Sequence, residues 1–203
     1  MTRPASRSDL RLGLLVAAIA AALVASESVR WTGASPWLSP RMLFGLVIPL
    51  ALAALLTDRA HHLGLGLGAP RRGVLALALG LPATVLAMAV LVHGSAVETF
   101  YRGHGDAALQ LALGYLPAIL QVEVCFRGVL LFGLLPRLGA TLAISVSVLP
   151  YGLVHLDKPL EEALGSILVG VVLAATAIWC RSIWYGLLLH LIGAVTLTRL
   201  ARG

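Results

Sequence analysis

Gln121-Val122-Glu123-Val124-Cys125-Phe126-Arg127-Gly128 decides how this chain is read. A carboxylate and a guanidinium stand four residues apart in a run that is otherwise uncharged and mostly apolar from Ala107 to Leu135. Four residues is one helical turn, so Glu123 and Arg127 share a face. The run is long enough to cross a bilayer. A charge at its centre costs at least ~2.5–3.5 kcal/mol on insertion scales. Of the chain's 15 Lys and Arg and 9 Asp and Glu residues, these two alone fall deep within an apolar run. The pair is either a structural ion pair that pins two helices together or part of a reaction centre.

Composition sets the solvent. Of 203 residues, 59% are hydrophobic and 12% charged, with a mean hydropathy of +0.94. A soluble domain of this size cannot hide so much apolar surface, so lipid solvates most of it. The expected fold class is all-α: a polytopic transmembrane helical bundle of about seven spans, forming a single integral membrane domain over residues 1–203. The formal charge of +6 belongs in loops that set orientation. No basic run with interleaved aromatics occurs, so nucleic acid is not an expected partner. Cys125 and Cys180 read as reduced packing residues. Cys125 as a thiol nucleophile beside His155 is the weaker reading, because a buried thiol is usually inert. The Ala, Leu, Gly and Arg bias suggests a bacterial source, hence a multi-pass protein of the inner membrane.

Outward from the central stretch, seven apolar runs are expected. The first, Leu12 to Ala25, follows Arg3, Arg7 and Arg11 and reads as a retained helix in preference to a signal peptide. The second is about Met42 to Leu56, and the third Val74 to Val92 with a kink expected at Pro82. The fourth carries the opening stretch, with Pro117 as a second kink. Pro136-Arg137-Leu138-Gly139 reads as a tight turn, so the fifth span, Ala140 to His155, returns antiparallel. The sixth is about Ala163 to Trp179. A turn at Cys180-Arg181-Ser182 leads to the seventh, Ile183 to Leu197. Trp179, Trp184 and Tyr185 read as an interfacial aromatic belt. Between the second and third spans, Leu63-Gly64-Leu65-Gly66-Leu67-Gly68 has too much Gly for a helix. No Gly-Lys-Ser/Thr follows it, so it is no phosphate loop. His61, His62, His93 and His104 read as surface residues. Arginine placement favours an N-terminus inside and a C-terminus outside. No internal repeat is evident, and a small transporter or channel is the weakest functional reading.

Depth can be counted from the turns. Glu123 lies 13 residues before Pro136, hence ~20 Å from that surface. His155 lies 16 residues after Gly139, hence ~24 Å from it. His190 lies 9 residues after Arg181, hence ~14 Å deep. In a core ~30 Å thick all three fall in the middle or far half, and the spacing permits them to meet in one cavity. A carboxylate and two imidazoles there suit water activation for attack on an amide: the acid, or an acid–His pair, takes the proton, and the second His donates to the developing oxyanion. Arg127 would hold Glu123 ionised and oriented. The same three residues could instead ligate zinc, with water as fourth ligand.

These residues resemble the intramembrane CAAX-protease and bacteriocin-processing (CPBP, or Abi) family. That family carries Glu-Glu-x-x-x-Arg, Phe-x-x-x-His and His-x-x-x-Asn (or Asp) on successive helices. Here the motifs read Val122-Glu123-Val124-Cys125-Phe126-Arg127, Tyr151-Gly152-Leu153-Val154-His155 and His190-Leu191-Ile192-Gly193-Ala194. The likeness covers roughly residues 60–200. It implies an intramembrane endopeptidase, metallo- or glutamic-type, acting on a membrane-associated peptide or protein. Glu123, His155 and His190 would be catalytic, or would be zinc ligands. Phe126, Arg127 and Tyr151 would support them. Val122 replaces the family's first Glu, its water-activating base. Neighbouring helical residues point ~100° apart, so Glu123 takes that place only where the helix rotates or is locally rewound. Ala194 replaces the Asn that would help bind the oxyanion. The alternative is a catalytically degenerate member: a membrane scaffold, a peptide-binding protein or a bacteriocin-immunity protein.

Overall fold

Gly139 has φ +73° and ψ 173°, outside any helix, yet helix runs on both sides of it. A residue with no Cβ adopts that conformation without penalty. Arg127 and Tyr151 each lie twelve residues from it, on opposite sides, and pack together with 4.1 Å between guanidinium carbon and ring centroid. The chain therefore folds back at Gly139 as an antiparallel pair, as the Pro136–Gly139 turn signal predicts.

The computed structural model describes residues 39–56, 63–93, 95–102 and 107–201, together with Arg11, Gly13, Leu14, Val16, Ala18, Ile19 and Trp37. The paired His61 and His62, the residue His104 and most of the first apolar run lie outside the described residues. Helix α1 comprises Pro40–Met42, a π-helical turn Leu43–Val47 and Ile48–Leu56. Helix α2 is Pro70–Val92, α3 is the short Ala96–Tyr101, and α4 is Ala108–Val122. A π-helical segment, Glu123–Phe132, continues α4 without a break into α5, Gly133–Leu153. Helices α6, Leu160–Cys180, and α7, Trp184–Leu200, complete the described chain. No strand occurs among the described residues. Pro82 and Pro117 lie inside helices without ending them.

Three helical stretches among the described residues are long and apolar enough to cross a membrane: Pro70–Val92, Ala108–Leu153 and Leu160–Cys180. The second of these is folded at Gly139 into two arms. Pro40–Leu55 and Trp184–Leu200 are apolar but shorter. Each of the second to seventh runs expected from the sequence thus has a helix, and three stretches among the described residues reach the length and apolarity of a span. The fifth helix ends at Leu153, two residues before the expected limit. His155 sits in the turn that follows, with Val154 N donating to Pro150 O and His155 N to Gly152 O.

The core lies around the π segment. Cys125, Phe126, Val129, Leu130, Leu131 and Leu134 are buried against Ala143, Val148 and Tyr151 of α5 and Ala174 and Ala177 of α6. Ile19 and Ala53 reach the same core. A second, smaller cluster joins Val92 of α2, Val97 and Tyr101 of α3, and Leu197 and Ala201 at the end of α7. Helix α2 packs along α7 and leaves Val74, Leu79, Leu86 and Val90 exposed, as a lipid-facing helix does.

The Leu63–Gly68 stretch is irregular, with Gly64 and Gly68 at positive φ, and docks on the α6–α7 turn. Ile183 N donates to Gly64 O, Ala69 N to Cys180 O, Trp184 Nε1 to Leu65 O and Tyr185 Oη to Leu67 O. Trp184 and Tyr185 thus use their polar tips to hold this loop. The turn itself places Arg181 at φ +53°. Arg181 N donates to Ile178 O and Ser182 N to Ala177 O, the paired bonds that close a helix with a left-handed residue.

Candidate active site

The helix rewinds as a π-helix beginning at Glu123, where the sequence requires rewinding if Glu123 is to face inward. π-helical turns of this kind concentrate at functional sites. Glu123 is fully buried, and its Oε1 lies 2.8 Å from His190 Nδ1 on α7. Val122 beside it is half-buried against the apolar core. The acid and the imidazole that the sequence brings to similar depth therefore meet directly.

Arg127 shares this site. It is fully buried, with Nη1 3.3 Å from Glu123 Oε1 and its guanidinium over the Tyr151 ring. The carboxylate and the negative ring face together balance its charge. None of its three side-chain nitrogens has a hydrogen-bond partner of good geometry among the described residues, and neither has Glu123 Oε2. The low dielectric that strengthens the ion pair also makes these unpaired atoms costly.

Tyr151 is the hub. Its ring meets Phe126 at 5.9 Å, His155 at 4.7 Å and His190 at 5.9 Å between centroids, each edge-to-face. Its hydroxyl lies 3.3 Å from His190 Nε2. His155 is linked to the others through this ring, and its Nδ1 faces the Tyr151 carbonyl oxygen at 3.0 Å. Tautomers follow from these partners. A carboxylate and a carbonyl oxygen only accept, so each imidazole carries its proton on Nδ1 and keeps its lone pair on Nε2. His190 is 15% exposed and His155 is half-buried, so the imidazoles form the accessible rim and Glu123 the floor.

The structure places Glu123, Arg127, Phe126, Tyr151 and His190 in one cluster, with His155 at its edge; from the sequence, Glu123, His155 and His190 are the expected trio and the other three its supports. The sequence reading misses the bridging role of Tyr151, although Tyr151 and His155 stand one turn apart and Tyr at this position adds a hydroxyl. Zinc does not fit this donor set. Glu123, the one carboxylate of the set, already gives Oε1 to both His190 Nδ1 and Arg127 Nη1. Among the described residues no three His, Cys, Asp or Glu side chains are grouped to hold a metal ion.

Residues 104–196, which contain all three motifs, match the family model described as Rce1-like, type II CAAX prenyl endopeptidase Rce1-like. This segment is similar to the CAAX-protease family. The match agrees with the resemblance carried by Glu123–Arg127, Tyr151–His155 and His190. The family is one of proteases, and with its apolar helices the chain is a multi-pass membrane protein. No curated protein and no solved structure matches the chain.

Proposed function

We propose that this CAAX-protease relative is an intramembrane endopeptidase that hydrolyses a peptide bond of a membrane-associated peptide or protein. The observation that carries the reading is the 2.8 Å bond between Glu123 Oε1 and His190 Nδ1 inside an otherwise apolar bundle. A carboxylate on Nδ1 fixes the tautomer and stabilises the imidazolium, so Nε2 can take a proton from water. The geometry supports a division of roles different from the sequence expectation of Glu123 as base and His190 as oxyanion donor. His190 is the better base, and Glu123, tied to Arg127, orients it. His155 offers a second Nε2 lone pair on the rim, suited to holding the water or the leaving group. One integral membrane domain in a bacterial cell membrane, with the lipid bilayer and a peptide as partners, fits the composition.

A second reading has its own support. Val122 and Ala194 lack the polar groups that the resemblance supplies at those positions. A catalytically silent scaffold, peptide-binding or bacteriocin-immunity protein would tolerate both. One experiment divides the readings. Full-length protein in nanodiscs is incubated with a quenched-fluorescent peptide pool, randomised around the scissile bond, with and without a farnesyl-cysteine. Cutting by the wild type that is lost in His190→Gln and Glu123→Gln supports the hydrolase. A wild type that cuts neither pool, while retaining its folded state by thermal unfolding, supports the scaffold.

A further inference from the structure

We infer that the Tyr151 hydroxyl is a catalytic hydrogen-bond donor, held on His190 at rest and released to the oxyanion when His190 takes up a proton. The inference rests on the hydrolase reading and adds a residue to its chemistry. Glu123 fixes the His190 proton on Nδ1, so the lone pair on Nε2 must be the acceptor and Tyr151 the donor across their 3.3 Å. The ring behind that hydroxyl cannot drift. Arg127 covers one face, and Phe126, His155 and His190 meet it edge-on. Tyr151 is 2% exposed, so its O–H is already desolvated and aimed before substrate arrives. Ala194, one turn beyond His190 on α7, offers no side-chain donor.

The sequence of events balances. Water enters beside His190 Nε2 and shares its lone pair with the long Tyr151 bond. A water O–H bond breaks, and its proton passes to Nε2 as the oxygen bonds to the peptide carbonyl carbon. The carbonyl π pair moves onto its oxygen. His190 is now an imidazolium, and Nε2 can accept no hydrogen bond. The Tyr151 O–H has lost its acceptor as an alkoxide forms alongside, and it donates there while keeping its proton. On collapse the oxygen pair re-forms the carbonyl, the C–N bond breaks and the His190 proton goes to the leaving nitrogen. The neutral imidazole then takes back the Tyr151 hydrogen bond. Nothing is oxidised or reduced.

Tyr151→Phe tests this, since it keeps every ring contact and deletes one oxygen. On the best-cut single peptide from the pool above, kcat is expected to fall about 100-fold, the loss that removing one oxyanion donor brings. KM is expected to stay within about twofold, because the interaction forms in the transition state. By 15N NMR of labelled protein, the His190 Nε2 resonance moves while Nδ1, still bonded to Glu123, does not. An undiminished kcat in Tyr151→Phe, a loss carried by KM instead, or an unmoved Nε2 resonance overturns the inference and leaves the hydrolase reading standing. A wild type that cuts no peptide removes both.

Discussion

His190 Nδ1 and Arg127 Nη1 converge on one atom, Glu123 Oε1, from 2.8 and 3.3 Å. The carboxylate is therefore shared between an imidazole at the rim and a guanidinium in the core. Arg127 pairs with no other anion among the described residues, and its guanidinium also lies over the Tyr151 ring. Stability and reactivity are thus coupled through one side chain.

Glu123→Ala is expected to destabilise the protein by ~3–5 kcal/mol, because it leaves a fully buried guanidinium without its counter-charge. Glu123→Gln keeps the shape and an acceptor oxygen, so its loss is smaller. Thermal unfolding in a single detergent compares the two. Equal melting temperatures would mean that the Arg127 charge is balanced by something else.

Removing both charges is expected to recover part of that loss. Glu123→Gln combined with Arg127→Met replaces the ion pair by groups of similar volume, which interiors tolerate. The double variant should unfold at a higher temperature than the sum of the single effects predicts, by a coupling of roughly 0.5–3 kcal/mol. Strict additivity would show that the 3.3 Å contact carries no energy.

Much of this arrangement is legible in the sequence because membrane helices leave few alternatives. Two charges one turn apart in an apolar run must face inward, and the Pro136–Gly139 turn fixes which helices are neighbours. Depth counting, from that turn for Glu123 and from Arg181 for His190, permits the two to meet. Three features are not legible. The π rewinding at Glu123 lies where α4, packed on α7, passes into a segment packed on α5, and periodicity alone does not encode it. The end of α5 at Leu153 is set by turn bonds from Val154 and His155, which move His155 from a helix into a loop. The docking of Leu63–Gly68 on the α6–α7 turn is a contact between distant segments. Trp184 and Tyr185 read from sequence as interface anchors because aromatic residues near a turn usually are.

Gly68→Ala tests that docked loop. Gly68 has φ +59°, and a Cβ there would collide with the backbone oxygen of Cys180. A left-handed alanine alone costs roughly 1–2 kcal/mol, and the collision adds to it, since backbone cannot swing aside. A fall in melting temperature well beyond that of Gly66→Ala, whose Cβ would meet open space, is the expected result. Matching falls would show that the loop is not held against Cys180.

Tyr101→Phe addresses the short helix α3. The Tyr101 hydroxyl donates to Glu162 Oε1 over 2.9 Å, while Lys158, three residues from His155, lies 4.8 Å from the Phe100 ring centroid. Glu162 Oε2 is buried with no hydrogen-bond partner among the described residues, so deleting the hydroxyl should cost about 1–3 kcal/mol. Burial first, and then the charge of Glu162, hold the phenol in its neutral form and raise its pKa. Below about pH 10 folded and unfolded chains both keep this proton, and the contribution is constant. Above it the unfolded chain releases the proton and the folded chain does not, so stability falls as pH rises. The melting-temperature advantage of wild type over Tyr101→Phe is therefore expected to shrink between about pH 9 and pH 11. A constant gap across that range would mean that Tyr101 ionises as readily in the folded chain as in the unfolded one, and that the Glu162 contact does not hold it neutral.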